Sequence, residues 1–408
     1  MQQLLKGLLE RVEPLFEQGG KLEKLYPAYD AFATLAFVLP NRTHAGAHIR
    51  DDFDSKRMMV TVIFALIPCT LVGIFNIGYQ RLLAECGVSG ADVCAMGVSF
   101  TFVQAVVQGL IRFLPILIVT YAVGLGWEFL FAVIRRHEVS EGFLVSGFLV
   151  ALIVPPSIPL WQLAVATTFG VIIGKEIFGG TGMNIFNPAL VVRAFLFFAY
   201  PAQISGDRVW VALDGYAAAS PLAVVAEGAE APIVDVLAAQ GVTWLNSFIG
   251  LIPGSIGETS TLAILLGIGL LLITGVGSWR IMASMLAGGV LMAGILNLVA
   301  PHPGHFLALP IHYHLTLGGF AFGLAYMATD PVSAAATDTG KLIYGFLCGV
   351  LSILVRILNP AFPEGVMLAI LFMNMFAPLI DHFVVRSNVK KRLARAAVPA
   401  AAGARVTE

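Results

Sequence analysis

Apolar runs of membrane-crossing length, separated by short polar segments, dominate the chain. A transmembrane helix needs about 20 predominantly apolar residues. Such windows fall near 58–80, 113–134, 142–156, 160–178, 183–200, 258–276, 280–299, 313–330, 341–358 and 365–385. They predict an all-α polytopic membrane protein of about ten transmembrane helices. Two runs are interrupted. The 142–156 run is short and ends on Pro155-Pro156, and the 174–200 stretch carries Gly179, Gly180, Gly182 and Pro188. Proline removes a helix donor and glycine weakens helix interiors, so both predict broken helices.

Composition sharpens this picture. Of 408 residues, 58% are hydrophobic and 12% charged, about half the charge of a soluble domain. A soluble globular protein is excluded. The formal charge is −1, so no basic excess exists to hold a phosphate backbone, and nucleic-acid binding is not expected. The mixed-charge first 57 residues have no signal-peptide pattern.

Lys and Arg set orientation. Residues 1–57 hold eight, residues 386–408 hold six and Arg135-Arg136 form a third cluster, whereas 201–256 has only Arg208. Both termini are therefore expected in the cytoplasm. The expected organisation is a cytoplasmic segment (1–57), a five-span half (58–200), a periplasmic loop (201–257), a second five-span half (258–385) and a basic cytoplasmic tail (386–408).

The halves echo each other. Gly142-Phe143, Pro155 and Asn187-Pro188-Ala189 reappear as Gly319-Phe320, Pro331 and Asn359-Pro360-Ala361. One copy starts inside and the other outside, as in inverted-topology repeats whose sites lie where broken helices meet.

Charges within spans are costly, by at least about 2.5–3.5 kcal/mol at the bilayer centre, and so mark candidate sites. Here they are Glu128, Arg193, Glu258, Asp330 and Asp381, while Lys175 and Glu176 are read as interfacial side chains that snorkel. Arg193 can pair with a carboxylate, and Asp330 before Pro331 can cap a helix start. Taken together, the acids suggest a path for Na⁺ or H⁺.

Other residues support two readings each. Ser220-Pro221-Leu222 has the form of an N-cap with Pro at the first helical position. Gly124, Gly126, Trp127 and Glu128, with Glu141-Gly142-Phe143 following, fit either close helix packing or a site for a flat lipid-soluble ring. His302, His305, His312 and His314 are read as an interfacial turn. Cys69 and Cys348 are expected to pack as small hydrophobes, and a Cys86–Cys94 disulfide stays open. The glycines at 179, 180 and 182 do not form a dinucleotide-binding turn, so any nicotinamide chemistry belongs to a partner.

Four stretches resemble one family: Asp54-Ser55-Lys56-Arg57-Met58-Met59, the run from Gly174 through Ala189, Pro253-Gly254-Ser255-Ile256-Gly257-Glu258-Thr259-Ser260, and Ala328-Thr329-Asp330-Pro331-Val332-Ser333. In this order they are similar to the B subunits of bacterial Na⁺-translocating NADH:quinone reductases. They are more distantly similar to the D subunits of Rnf ferredoxin:NAD⁺ oxidoreductases. The long N-terminal segment favours the former.

The resemblance implies a six-subunit complex of the bacterial inner membrane. A partner oxidises NADH with FAD and an iron–sulfur centre, and an FMN-bearing sister subunit passes electrons to this chain's covalent FMN. Riboflavin follows, then ubiquinone, with Na⁺ or H⁺ moved outward. The family joins FMN to a Thr in Ser-Gly-Ala-Thr; the matching stretch is Ala217-Ala218-Ala219-Ser220, so the phosphodiester is expected on Ser220. Riboflavin is expected near Asn184 and Asn187, and quinone near Gly124, Glu128 and Phe143, with Leu125 where a second glycine is usual. Ion passage is expected along Glu128, Glu258, Asp330 and Asp381. A channel or secondary transporter without cofactor is the competing expectation.

Overall fold

The computed structural model describes Pro14, Tyr26 and residues 55–85, 102–135, 142–206, 208–213, 216–217, 219–359 and 364–403. Most of the expected N-terminal segment, the Cys86–Cys94 pair and part of Asn359-Pro360-Ala361 lie outside the described residues. Among the described residues every regular element is helical.

The first half comprises α1 (Ser55–Glu85), α2 (Phe102–Arg135), α3 (Gly142–Ile153), α4 (Leu160–Gly174) and α5 (Pro188–Ala199). Four short helices follow: a single turn at Pro201–Ile204, then α6 (Pro221–Glu227), α7 (Ile233–Ala239) and α8 (Trp244–Ile249). The second half has α9 (Thr261–Ile273), α10 (Trp279–Leu298), α11 (Ile311–Thr316), α12 (Asp338–Leu358) and α13 (Val366–Gly403). Between α11 and α12 the chain makes a helical turn at Phe320–Phe322 and a π-helical one at Gly323–Met327.

Six helices are long and apolar enough to cross a membrane, and α3, α5 and α9 are shorter apolar helices. The interruptions have local causes. Pro155-Pro156 stops α3. Gly179, Gly180 and Gly182 all have positive φ, which glycine adopts without a Cβ clash, and they turn the chain between α4 and α5. The helix α2 begins at Phe102, earlier than expected, because Gln104, Gln108 and Arg112 dilute its apolar run without lowering helix propensity. Its extent from Arg112 to Arg135 is about 35 Å at 1.5 Å per residue, close to a bilayer's apolar core of about 30 Å.

Packing repeats between the halves. In the first, α2 lies on α4, α4 on α5 and α3 on α5; in the second, α10 lies on α12, α12 on α13 and the π turn on α13. The helices α10 and α12 approach through glycine, where a Cβ on Gly288 or Gly349 would strike the facing backbone. Such contacts drive association where the hydrophobic effect cannot. The broken elements form the centre, with Phe143, Leu152, Ile153, Leu196, Phe320 and Phe322 fully buried.

The structure adds one feature to these expectations and changes two. The 201–256 loop is folded: α6 and α7 bury Leu222, Val225, Ile233 and Leu237 with Phe306, Leu309, Tyr313 and Leu317 in a second core. Backbone bonds Ala229 N–H to Gly304 O and Ile233 N–H to Pro303 O, both 3.0 Å, join them. His314, expected in an interfacial turn, is 1% exposed and stacks on Phe306. Lys175 and Glu176 do not snorkel; each is 3% exposed, because the glycine turn folds back over them.

Candidate functional site

The described charges gather at the two ends of the bundle. At one end, where α1 begins and α2 finishes, the break between α4 and α5 meets the break after the π turn. A cleft there, with an empty volume of about 810 Å³ counting its open mouth, is lined by Lys175, Thr181, Asn184, Asn187, Tyr326 and Asp330 among others.

Asn187 is held by its place in the chain. Its Oδ1 caps α5, accepting from the N–H groups of Ala189 (3.0 Å) and Leu190 (3.4 Å), and Pro188 supplies the first helical residue. Its Nδ2 is left with Met327 Sδ at 3.9 Å. The amide of Asn184 donates to Phe186 O at 2.8 Å. Asp330 accepts from Ser333 Oγ (2.7 Å) and Val332 N–H (3.3 Å). It heads a turn, not a helix, since α12 starts later with Thr337 as its cap. Among the described residues Asp330 joins no ion pair. Thr181 Oγ1 is buried without a hydrogen-bond partner.

Lys175 connects this cleft to α2, where its ammonium pairs with the Glu128 carboxylate, both side chains being buried. Beside it, Arg135 holds Glu176 through the carboxylate (3.3 Å) and the backbone oxygen (2.7 Å). Sequence reasoning missed Lys175; its signal was its place directly before a glycine-rich break rather than at a clean helix end.

Gly124 and Phe143 are in direct contact, since a Cβ on Gly124 would collide with the Phe143 ring. Tyr121 meets that ring edge-on at 6.4 Å and donates to Leu144 O at 2.6 Å. The close-packing reading therefore describes this pair, and no ring fits between them until Phe143 turns. Glu128 lies one helical turn further along the same buried face.

Asp381 sits apart from the cleft. Its carboxylate accepts from Ala336 N–H (2.6 Å), Thr337 N–H (3.0 Å) and Thr337 Oγ1 (2.5 Å), so it latches α13 to the start of α12.

At the opposite end, Ser220 caps α6 by accepting from Ala223 N–H at 3.2 Å. It also lines a second cavity, with Trp210, Ser255, Glu258, Thr259, Gly318 and Glu364. Arg193 governs that cavity's charge. It donates to Glu258 at 2.6 Å, to Ser255 Oγ at 3.4 Å and to Glu364. The expected Arg193 ion pair is present, with a second acid that the sequence did not single out. Buried Arg356 donates instead to the backbone oxygens of His314 (2.8 Å) and Leu317 (3.1 Å), tying the loop-end core to α12. Cys69 and Cys348 are buried and free, and no group of metal-binding side chains occurs among the described residues.

Broken helices around two polar cavities inside an apolar bundle define a polytopic membrane protein that presents polar groups within the bilayer, where irregular backbone survives only beside such cavities. The chain belongs to the NQR2, RnfD, RnfE family, whose model it matches over residues 42–390. It is 49% identical over 409 residues to the B subunit of the Na⁺-translocating NADH-quinone reductase of Klebsiella pneumoniae subsp. pneumoniae, covering 96% of this chain and 99% of that one. The B subunits of the same reductase from Pseudomonas aeruginosa (strain LESB58) and Chromohalobacter salexigens are each 50% identical, over 403 and 401 residues. These cover 96% of this chain, and 99% and 96% of theirs.

Proposed function

We propose that the chain is the B-type membrane subunit of a Na⁺-translocating NADH:quinone reductase, working with five other subunits in the bacterial inner membrane with both termini in the cytoplasm. Near full-length similarity supports the assignment to that complex. The observation that carries the chemistry is Ser220, a hydroxyl at the rim of a polar cavity and on the lip of a folded cap.

Its geometry suits esterification. Ser220 Oγ uses a lone pair to cap α6, so replacing its proton by a flavin phosphate leaves the cap acceptor in place. Ser therefore serves where the family has Thr, and FMN bound there supplies one- and two-electron chemistry. Asn184 and Asn187 would hold riboflavin in the other cleft, Asn187 donating through Nδ2 and Asn184 accepting through Oδ1 along a ring edge. Gly124, Phe143 and Glu128 would receive ubiquinone beside that cleft, with Phe143 as the movable wall.

The acids of the bundle form the ion route in this reading. Glu128 and Asp330 serve one end and Glu258 the other, while Asp381 anchors the backbone at the first. Moving one charge against 100 mV requires about 2.3 kcal/mol, which electron transfer must supply.

The test is mass spectrometry of the chain purified from cells that also express the flavin transferase. The peptide spanning Ser220 is expected to carry a fluorescent adduct of FMN mass. An unmodified peptide would favour a transporter without cofactor.

A further inference from the structure

We propose that Lys175 is a tethered cation that competes with the transported ion for the Glu128 carboxylate and exchanges between Glu128 and the Asp330 cleft. The proposal deepens the reading above and rests on it for the identity of the ion. Its basis is geometric: one buried ammonium both pairs with Glu128 across the α2–α4 contact and lines the cleft that holds Asp330.

The physical argument concerns charge balance. A buried carboxylate is costly unless compensated, and a buried pair broken on one side leaves a charge that must find another partner. A cation arriving at Glu128 while Lys175 remains there would add a second positive charge beside the same carboxylate. The two are therefore mutually exclusive to the extent that the site is dry.

Lys175 has somewhere to go. Its four-carbon stem is flexible and ends in a compact point charge. Asp330 is the carboxylate among the cleft-lining residues, and its described partners are a hydroxyl and a backbone N–H, with no cation. Movement of the ammonium toward Asp330 withdraws one positive charge from Glu128 and lets an ion take its place, and its return expels that ion. Lys175 is thus a positioning residue that links the two acids. Thr181 and Asn184 also line the cleft and offer the ammonium acceptor oxygens there.

The experiment measures quinone reduction by the assembled complex against NaCl at constant ionic strength, for the wild type and for Lys175→Met and Lys175→Arg. Subunit content and flavin content are measured in parallel. Met keeps the apolar stem and removes the competitor, so half-saturating Na⁺ falls at least threefold. Arg forms a forked pair with Glu128 and leaves it less readily, so half-saturating Na⁺ rises at least threefold. A residue that only supports the fold would not order the three proteins Met, Lys, Arg.

An identical half-saturation in all three overturns the proposal while leaving the functional reading intact. If neither variant assembles, Lys175 belongs to the fold and the proposal is overturned as well. A wild-type complex indifferent to Na⁺ overturns the functional reading itself, and the proposal with it.

Discussion

The two buried charge clusters of this bundle are built from different cations, and the difference separates a fixed joint from a movable one. At the loop end Arg193 is pinned by Glu258, Glu364 and Ser255 together. A planar guanidinium with several donors, gripped from more than one side, has one geometry that satisfies them. At the other end Lys175 offers a point charge on a flexible stem, paired to Glu128 while facing a cleft that holds Asp330. The first arrangement holds the cap and the broken helices α5 and α9 in register. The second can change partners without rebuilding the backbone.

The largest test of this contrast is Arg193→Ala. It leaves Glu258 and Glu364 buried without their cation, and breaking a buried pair on one side costs about 3–5 kcal/mol. Loss of assembled complex, or a large fall in thermal stability in detergent, is expected. Lys175→Met should cost less, because it strips the cation from one acid rather than two and its stem still fills the space; unfolding midpoints of the two variants decide whether the ends differ as argued.

Next in size is Gly124→Val. Its side chain would strike the Phe143 ring, and overpacking of this kind costs about 1–3 kcal/mol. Phe143→Leu on the same chain should restore stability, and steady-state kinetics with varied quinone will show whether KM follows the wall.

Asp381→Ala removes an acceptor shared by two backbone N–H groups and one hydroxyl. Leaving such donors unsatisfied costs about 1–3 kcal/mol in a buried setting, less here where the site is partly open. Asp330→Asn keeps the turn's acceptor oxygen and should shift stability less than Asp381→Ala. Its effect should fall on Na⁺-stimulated quinone reduction instead. Equal losses of stability would remove the distinction drawn between the latch and the cleft acid.

The smallest structural effect is expected at Ser220. Ser220→Ala loses one N-cap, typically about 1 kcal/mol, yet abolishes covalent flavin, read as lost in-gel fluorescence. Ser220→Thr preserves both. A large destabilisation by Ser220→Ala would mean that the hydroxyl serves the cap alone.

Much of this was legible before any coordinates. Span-length apolar runs dictate helices, because in lipid every backbone donor must be satisfied within its own segment. Pro155-Pro156 and the three glycines marked the breaks, since their effect is local and steric. Ser220-Pro221 announced a helix cap that is present, because capping needs only residues close together in the chain. The same locality explains what escaped. The folding of 201–256 into a cap depends on residues 303–317, on the far side of α9 and α10, and no short window along the chain contains both.

Sequence by itself determined most of the spans, two of their interruptions and which polar residues were costly enough to matter; the run at 313–330, expected as one span, is instead broken into α11 and two turns. Tertiary structure alone decided how those charges are shared: that Arg193 serves Glu364 as well as Glu258, that Asp381 is occupied by backbone, and that Lys175 is buried between Glu128 and the Asp330 cleft. The physical reason is that a charge's cost is set locally by burial, whereas its compensation comes from whichever element packing brings within hydrogen-bond reach.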